Sequence, residues 1–338
     1  MKILVVAPSW VGDTLLAQPL LTLLKRQQPS VRIEVLAPAW ASPLLTRMAE
    51  VDAVIASPFA HGEFAFAARR ALGRRLRGNA TSADFSHAYV LPNSWKSALV
   101  PYFAGIPHRI GYLGEARWGL LNEPRKLDKT ALPRLAQRYA ALAGPFPLSA
   151  AELRAELPRP ALRSTPAQQW AVRRLLGLAE YVAPIILCPG AEYGPAKRWP
   201  TWHFATLARH VGNPATPVWV LGSDKDVALG EQIAQASGGA ALNLCGRTTL
   251  DQAIDLIASA RAVVTNDSGL MHVAAALDRP LVALYGSSSP DYTPPLSPDA
   301  KIVSQKLPCS PCFKRECPLG HLDCLNGLKP ERVLELLP

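Results

Sequence analysis

What most narrows the folds open to this chain is an alternation of strand-like and helix-like runs that starts at the first residues, breaks once at a proline-bearing stretch, and starts again. Lys2–Ala7 reads as a buried strand, and Thr14–Gln28 as a helix with Leu15, Leu16, Leu20, Leu23 and Leu24 on its apolar side. Pro19 falls near the front of that helix, where a missing N–H costs least, or else kinks it. Arg32–Leu36, Val51–Ala56 and His87–Leu91 are further strands, and Glu63–Arg77 is a helix crowded with Arg69, Arg70, Arg74, Arg75 and Arg77. Pro145, Pro147, Pro158, Pro160 and Pro166 then interrupt the pattern and predict a linker region. Beyond it the strands are Pro184–Cys188, Val218–Leu221, Leu242–Leu244, Ala262–Thr265 and Leu281–Leu284. Helices are expected at Trp202–Val211, Lys225–Ala236, Leu250–Ser259 and Ser268–Leu277. Alternation of this kind builds parallel sheets covered by helices. The expected architecture is therefore α/β: two Rossmann-like, doubly wound domains, 1–165 and 166–338, facing across a cleft. In such sheets ligands bind off the carboxyl ends of the strands, which selects the loops that matter.

Composition excludes two classes. Apolar residues make up 49% and charged residues 18%, enough for real cores and against intrinsic disorder. No uncharged apolar run approaches the ~18–20 residues a membrane-spanning helix needs. The run after Lys2 stops at Pro8 and meets Asp13 before any small-residue cleavage site, so a first strand is expected rather than a signal peptide, and a cytoplasmic chain. The formal charge of +10 sits wholly in the first half, where 1–165 carry 21 Lys and Arg against 11 Asp and Glu. A one-sided basic field calls for an anionic partner: nucleic acid, an anionic membrane face or an acidic substrate. A solvated arginine-rich surface is the plain alternative.

Four strand-end loops carry the chemistry. After the first strand, Val11-Gly-Asp13 leads into a helix; Asp13 suits either a helix-start acid or a general base, since aspartate is ionised at neutral pH. The loop from Cys188 to Pro200 delivers Lys197 and Arg198, cations suited to a phosphate-bearing ligand, but it lacks a Walker ending. Leu221-Gly-Ser-Asp224-Lys-Asp226 offers a carboxylate for ribose hydroxyls at Asp226, or a helix cap at Asp224. The fourth, Asn266-Asp-Ser-Gly-Leu-Met-His272, ends a buried strand and opens an alanine-rich helix. Gly269 would let a diphosphate approach the free amides of the first turn, and His272 lies on the face that carries Ser268. Asp267 would be repelled by a diphosphate and is read as contacting sugar hydroxyls or orienting amides.

Together, Val11-Gly-Asp13, Pro189-Gly-Ala with Lys197-Arg-Trp-Pro200, and Asn266–His272 resemble the ADP-heptose:lipopolysaccharide heptosyltransferases of glycosyltransferase family 9. The Pro189–Pro200 loop and the tail Cys309–His321 look most like the members that add the second inner-core heptose. The resemblance implies a GT-B fold, an inverting transfer and no tightly bound metal. It implies Asp13 as the base for the acceptor hydroxyl, Lys197 on the donor diphosphate, Ser268, Gly269 and His272 around the donor phosphates, and Asp267 beside the sugar. Asp226 on the ribose is a looser match. An ADP-heptose donor and an anionic lipid A-core acceptor follow, with transient contact at the inner face of the inner membrane, no nucleic acid, and a monomer. Such an acceptor accounts for the basic first half. Asn93 and Lys96, after a strand end, and Arg69 and Arg70 are acceptor candidates.

Cys309, Cys312, Cys317 and Cys324 are spaced C-x2-C-x4-C-x6-C, with His321 between. Structural zinc, reduced thiols and a disulfide formed on purification all suit a run that lacks the second C-x2-C of a zinc ribbon. Cys188 and Cys245 read as core residues. Two other function classes stay open: a nucleotide-sugar epimerase of the same architecture, and a nucleic-acid binder suggested by charge alone, for which no recognition helix or aromatic platform is present. Transfer of the first rather than the second heptose is the alternative within the family.

Overall fold

The computed structural model describes residues 1–59, 62–77, 84–144, 150–179 and 182–338; Pro145 and Pro147 of the expected linker lie outside the described residues. The chain divides into two compact units, 1–160 and 161–338. Leu162 N donates to Ala276 O, and Ser164 Oγ to Asp255 Oδ1 at 2.7 Å, which fastens the start of the second unit to its own helices.

The first unit holds β1 (Lys2–Val6), β2 (Arg32–Pro38), β3 (Ala53–Ser57), β4 (His87–Val90), β5 (His108–Tyr112) and β6 (Glu123–Arg125). They form one parallel sheet in the order β3-β2-β1-β4-β5-β6, with Val5 paired to both Val35 and Tyr89. The second unit holds β7 (Ile185–Cys188), β8 (Val218–Val220), β9 (Ala241–Asn243), β10 (Ala262–Asn266), β11 (Leu281–Tyr285) and β12 (Ala300–Ser304). Its parallel order, β12-β11-β10-β7-β8-β9, repeats the first. In both sheets the winding reverses beside the first strand, between β1 and β4 and between β7 and β10. Loops leaving those two strands run apart and open a crevice at their carboxyl ends.

The central strands are buried on both faces because helices cover them, and they read as continuous apolar runs for that reason. Leu4, Val6, Leu36, Ala88 and Val90 pack with Leu72, Val100 and Ile106 in the first unit. In the second, Leu187, Val220, Val264 and Leu284 pack with Trp199, Phe204 and Leu207, and with Leu325, Leu328 and Val333 from the chain's last stretch. Among the described residues no helix is long and apolar enough to cross a membrane.

Three strands have no counterpart in the alternation read from sequence: β5, β6 and β12. β6 is Glu-Pro-Arg and β12 exposes Lys301 and Ile302; both are sheet edges, where one covered face suffices and a charged or proline-bearing strand is tolerated. The expected helix at Thr14–Gln28 is two helices, Val11–Leu16 and Gln18–Gln27, meeting at Ala17. Pro19 has no N–H to continue the first helix, and the ladder restarts with Leu20 N on Ala17 O. A helix at Pro166–Leu175 also escaped the alternation, although Thr165 and Gln168 form a reciprocal capping box at its start.

In the helix Phe66–Leu76, a Cβ on Gly73 would lie 2.6 Å from Phe103 Cβ and 2.7 Å from Val100 O. Glycine to alanine inside a helix ordinarily stabilises by about 1 kcal/mol. Here the collision should reverse the sign, and Gly73→Ala is expected to destabilise by about 1–3 kcal/mol in urea melts. A raised midpoint would show that the two helices separate freely.

Candidate active site

The winding reversal of the second sheet brings two loops together: Pro189–Pro200 after β7, and Asp267-Ser268 after β10. Asn266, fully buried at the end of β10, joins them. Its Oδ1 accepts from Trp199 N at 2.9 Å, and its Nδ2 donates to Pro189 O at 2.7 Å, so one carboxamide holds both ends of the first loop. Trp199 is buried beneath that loop, its indole donating to Leu328 O at 2.7 Å and stacking on His203. The loop thus delivers Lys197 to Asp267, with Nζ 2.5 Å from Oδ2 and the carboxylate side chain 5% exposed. Sequence reasoning named both residues but not their pairing. It also missed the role of Asn266, for which the signal was an amide side chain at the end of a fully buried strand.

Helix Gly269–Ala276 begins directly after this pair. Ser268 occupies the cap position in extended backbone, yet its hydroxyl faces Thr265 Oγ1 at 3.2 Å and does not cap the helix. Among the described residues no side chain caps the first-turn amides, which leaves a seat for an anion backed by the helix dipole. His272 is buried one turn in, and among the described residues no protein group hydrogen-bonds its ring. Burial lowers its pKa to about 4; Lys197 pushes the same way and Asp267 opposes. The ring is therefore neutral at pH 7 and can donate to a ligand without adding charge. Arg198 adjoins Lys197, and among the described residues its buried Nε has no hydrogen-bond partner.

Asp226 is buried against the same loops. Its Oδ2 accepts from Ser223 N at 2.9 Å and Ser223 Oγ at 2.8 Å. A Cβ on Gly190 would lie 2.6 Å from that carboxylate, so the loop after β7 crosses closely over it. Cys188 and Cys245 are buried nearby; burial, with Asp226 adding, pushes the Cys245 thiol up to about 12. Both are inert core residues.

In the first unit, Asp13 sits in the first turn of Val11–Leu16 at the carboxyl end of β1. Asn93 is exposed after β4, and Lys96 Nζ donates to Gly62 O at 2.6 Å. Lys96 and Arg69 line a cavity of about 610 Å³ with Ser9, Trp40, Phe59 and Ser94 at the strand ends. Arg69 is 8% exposed and donates to Phe64 O, Glu63 O and Lys96 O, with its guanidinium over Phe59. It braces the cavity wall. Arg70 is exposed on the same helix and does not line the cavity.

The cysteine-bearing tail packs against the Lys197 loop. Cys309 is exposed, Cys312 and Cys317 are half-buried and Cys324 is buried, all as free thiols. Hydrogen bonds from backbone amides, Leu322 foremost, hold the Cys317 thiol below its ordinary pKa. Among the described residues no three Cys, His, Asp or Glu side chains form a group that could hold a metal.

Residues 69–323 match glycosyltransferase family 9 (heptosyltransferase). The chain belongs to this family. Over its whole length it is 47% identical to lipopolysaccharide heptosyltransferase 2 of Escherichia coli strain K12, covering 97% of that protein. Identity is also 47% to lipooligosaccharide heptosyltransferase 2 of Haemophilus influenzae, of which 98% is covered. The structure of E. coli ADP-heptose lps heptosyltransferase II superposes with a TM-score of 0.87 at 46% identity, over 99% of this chain and 97% of that one. E. coli heptosyltransferase WaaC with ADP, at 19% identity and a TM-score of 0.72, shares the fold. This family 9 member is a glycosyltransferase of GT-B fold, and the epimerase and nucleic-acid readings fall.

Two expectations follow from the site. Asn266→Asp keeps the acceptor for Trp199 N but sets a buried carboxylate against Pro189 O; a loss of about 3 kcal/mol or more is expected in urea melts. A variant as stable as the parent would show the loop held by other contacts. The unfolded chain protonates His272 near its ordinary 6.5 but the folded chain only near 4. Stability should therefore fall between those values as pH drops, by on the order of 3 kcal/mol, and His272→Gln should flatten that part of the acid slope in urea melts. An unchanged slope would place the acid sensitivity elsewhere.

Proposed function

We propose that the chain transfers heptose from ADP-heptose to the first heptose of the lipopolysaccharide inner core, with inversion at the anomeric carbon. The full-length likeness to heptosyltransferases 2 supports the choice of acceptor. The observation that carries the donor assignment is Lys197 fixed beside the uncapped start of helix Gly269–Ala276, where a diphosphate meets a cation and free amides at once.

In this reading the diphosphate lies on the amides of Gly269 and its successors, contacted by Lys197 and Arg198, while neutral His272 and Ser268 add hydrogen bonds. Asp267 aligns Lys197 and faces the sugar; Asp226 meets the ribose. Asp13 removes the proton from the attacking acceptor hydroxyl. The new bond forms at the anomeric carbon as the bond to the diphosphate oxygen breaks on the opposite face, so configuration inverts. Negative charge grows on departing ADP, and Lys197 with the helix amides stabilises it more strongly in the transition state than before. The reading takes the enzyme as a monomer that requires no cofactor, and the clustered cysteines as reduced thiols rather than a zinc site.

The acceptor is read as entering at the cavity lined by Lys96, with Asn93 at its approach. Exposed Phe64, Phe66, Trp95 and Tyr102, beside Arg70, Arg74 and Arg75, suit contact with the anionic inner leaflet from the cytoplasmic side. Incubation with ADP-heptose and two acceptors, Kdo-lipid A with one heptose and with none, tests the reading through ADP release and acceptor mass. Transfer to the heptose-bearing acceptor alone is expected, with a 10²–10⁴-fold loss of kcat in Asp13→Asn, the range for removing a general base. Transfer to the bare acceptor would move the assignment to the first heptose, and full activity in the variant would remove Asp13 as the base.

A further inference from the structure

The Lys197 site leaves its charge balance incomplete, and the cysteine-bearing tail supplies what is missing. A nucleotide-sugar diphosphate carries two negative charges, and a third develops when the glycosyl bond breaks and ADP departs. Lys197, the cation fixed at the seat, is already paired with Asp267. We infer that Arg315 is a further cationic contact for the donor diphosphate, beyond Lys197 and Arg198, carried to the Lys197 loop by the tail; the inference rests on the donor reading of that site.

The tail is docked on the loop through its main chain. Ala196 N donates to Arg315 O at 3.0 Å, and Tyr193 OH donates to Phe313 O at 2.8 Å. Phe313 N in turn donates to Ser287 O at 2.7 Å, tying the same stretch to the loop after β11. The approach at Gly194 is so close that a Cβ would lie 2.5 Å from Arg315 O. These bonds fix where the Arg315 side chain leaves the backbone.

That side chain lies against Tyr193. Lys197 Nζ lies 5.2 Å from the centre of its ring, and the Arg315 guanidinium carbon 5.4 Å from the same centre. One exposed aromatic ring thus gathers both cations. Among the described residues no carboxylate pairs with Arg315, and the loop's own acid, Glu192, is paired with Lys225 instead. Arg315 is exposed, so its charge reaches a ligand without first breaking an internal ion pair. A planar guanidinium also fits two phosphate oxygens at once, which the Lys197 ammonium does not.

The test uses the full chain and its variants Arg315→Gln and Arg315→Lys, titrated calorimetrically with ADP and with adenosine. A structural role would weaken both ligands together, whereas a diphosphate contact weakens ADP alone. The expected result is about a tenfold loss of ADP affinity in Arg315→Gln with adenosine binding and melting temperature unchanged, and partial recovery in Arg315→Lys. Parental ADP affinity in Arg315→Gln, or equal losses for ADP and adenosine, would overturn the inference while leaving the donor site in place. Failure of the parent chain itself to bind ADP would overturn the donor reading, and the inference with it.

Discussion

Through the two hydrogen bonds of one buried carboxamide, Asn266 converts the strand order of the second sheet into a binding surface. A loop as long as Pro189–Pro200, rich in glycine and proline, has little regular structure of its own and would otherwise sample many conformations. Holding Pro189 O and Trp199 N on one side chain closes it like a hairpin across the end of β10. That closure works with the burial of Trp199 and the short turn Pro195–Lys197 to bring Lys197 to Asp267. A polar side chain at the end of a core strand is costly unless both of its functions are satisfied, and here both are.

The two sheets use the same strand order to different ends. In the second unit the reversal between β7 and β10 presents Lys197, Arg198 and a helix start that Ser268 does not cap, a surface suited to an anion. In the first, the reversal between β1 and β4 presents Asp13 and a cavity walled by aromatic and basic side chains. The common topology explains why both sites sit at strand carboxyl ends. Their chemistry differs only through the residues in the loops.

Much of this was legible from residue patterns, and the exceptions have physical causes. Central strands such as Leu281–Tyr285 announce themselves because both faces are covered, so they read as nearly continuous apolar runs. Edge strands such as Glu123–Arg125 need no such run, and nothing in three residues containing proline suggests a strand. The site motifs were visible as residue types at strand ends, and the alternation placed them there. Pairings between distant positions were not: Lys197 with Asp267, and Trp199 with Asn266, depend on which strands are neighbours, which periodicity does not report. Arg69 shows the converse. Its charge suggested a ligand, while its three carbonyl partners make it part of a wall.

The pairing of Lys197 with Asp267 also bears on which anions this loop favours. A lysine with its own carboxylate is a poor trap for the stray phosphate and nucleotides of a crowded cell. A small anion that displaces Asp267 gains one contact and forfeits another, and nets little. Only a ligand that meets the helix amides, the neutral imidazole and the lysine together repays the exchange. An ion pair of this kind therefore favours an extended anion over a small one.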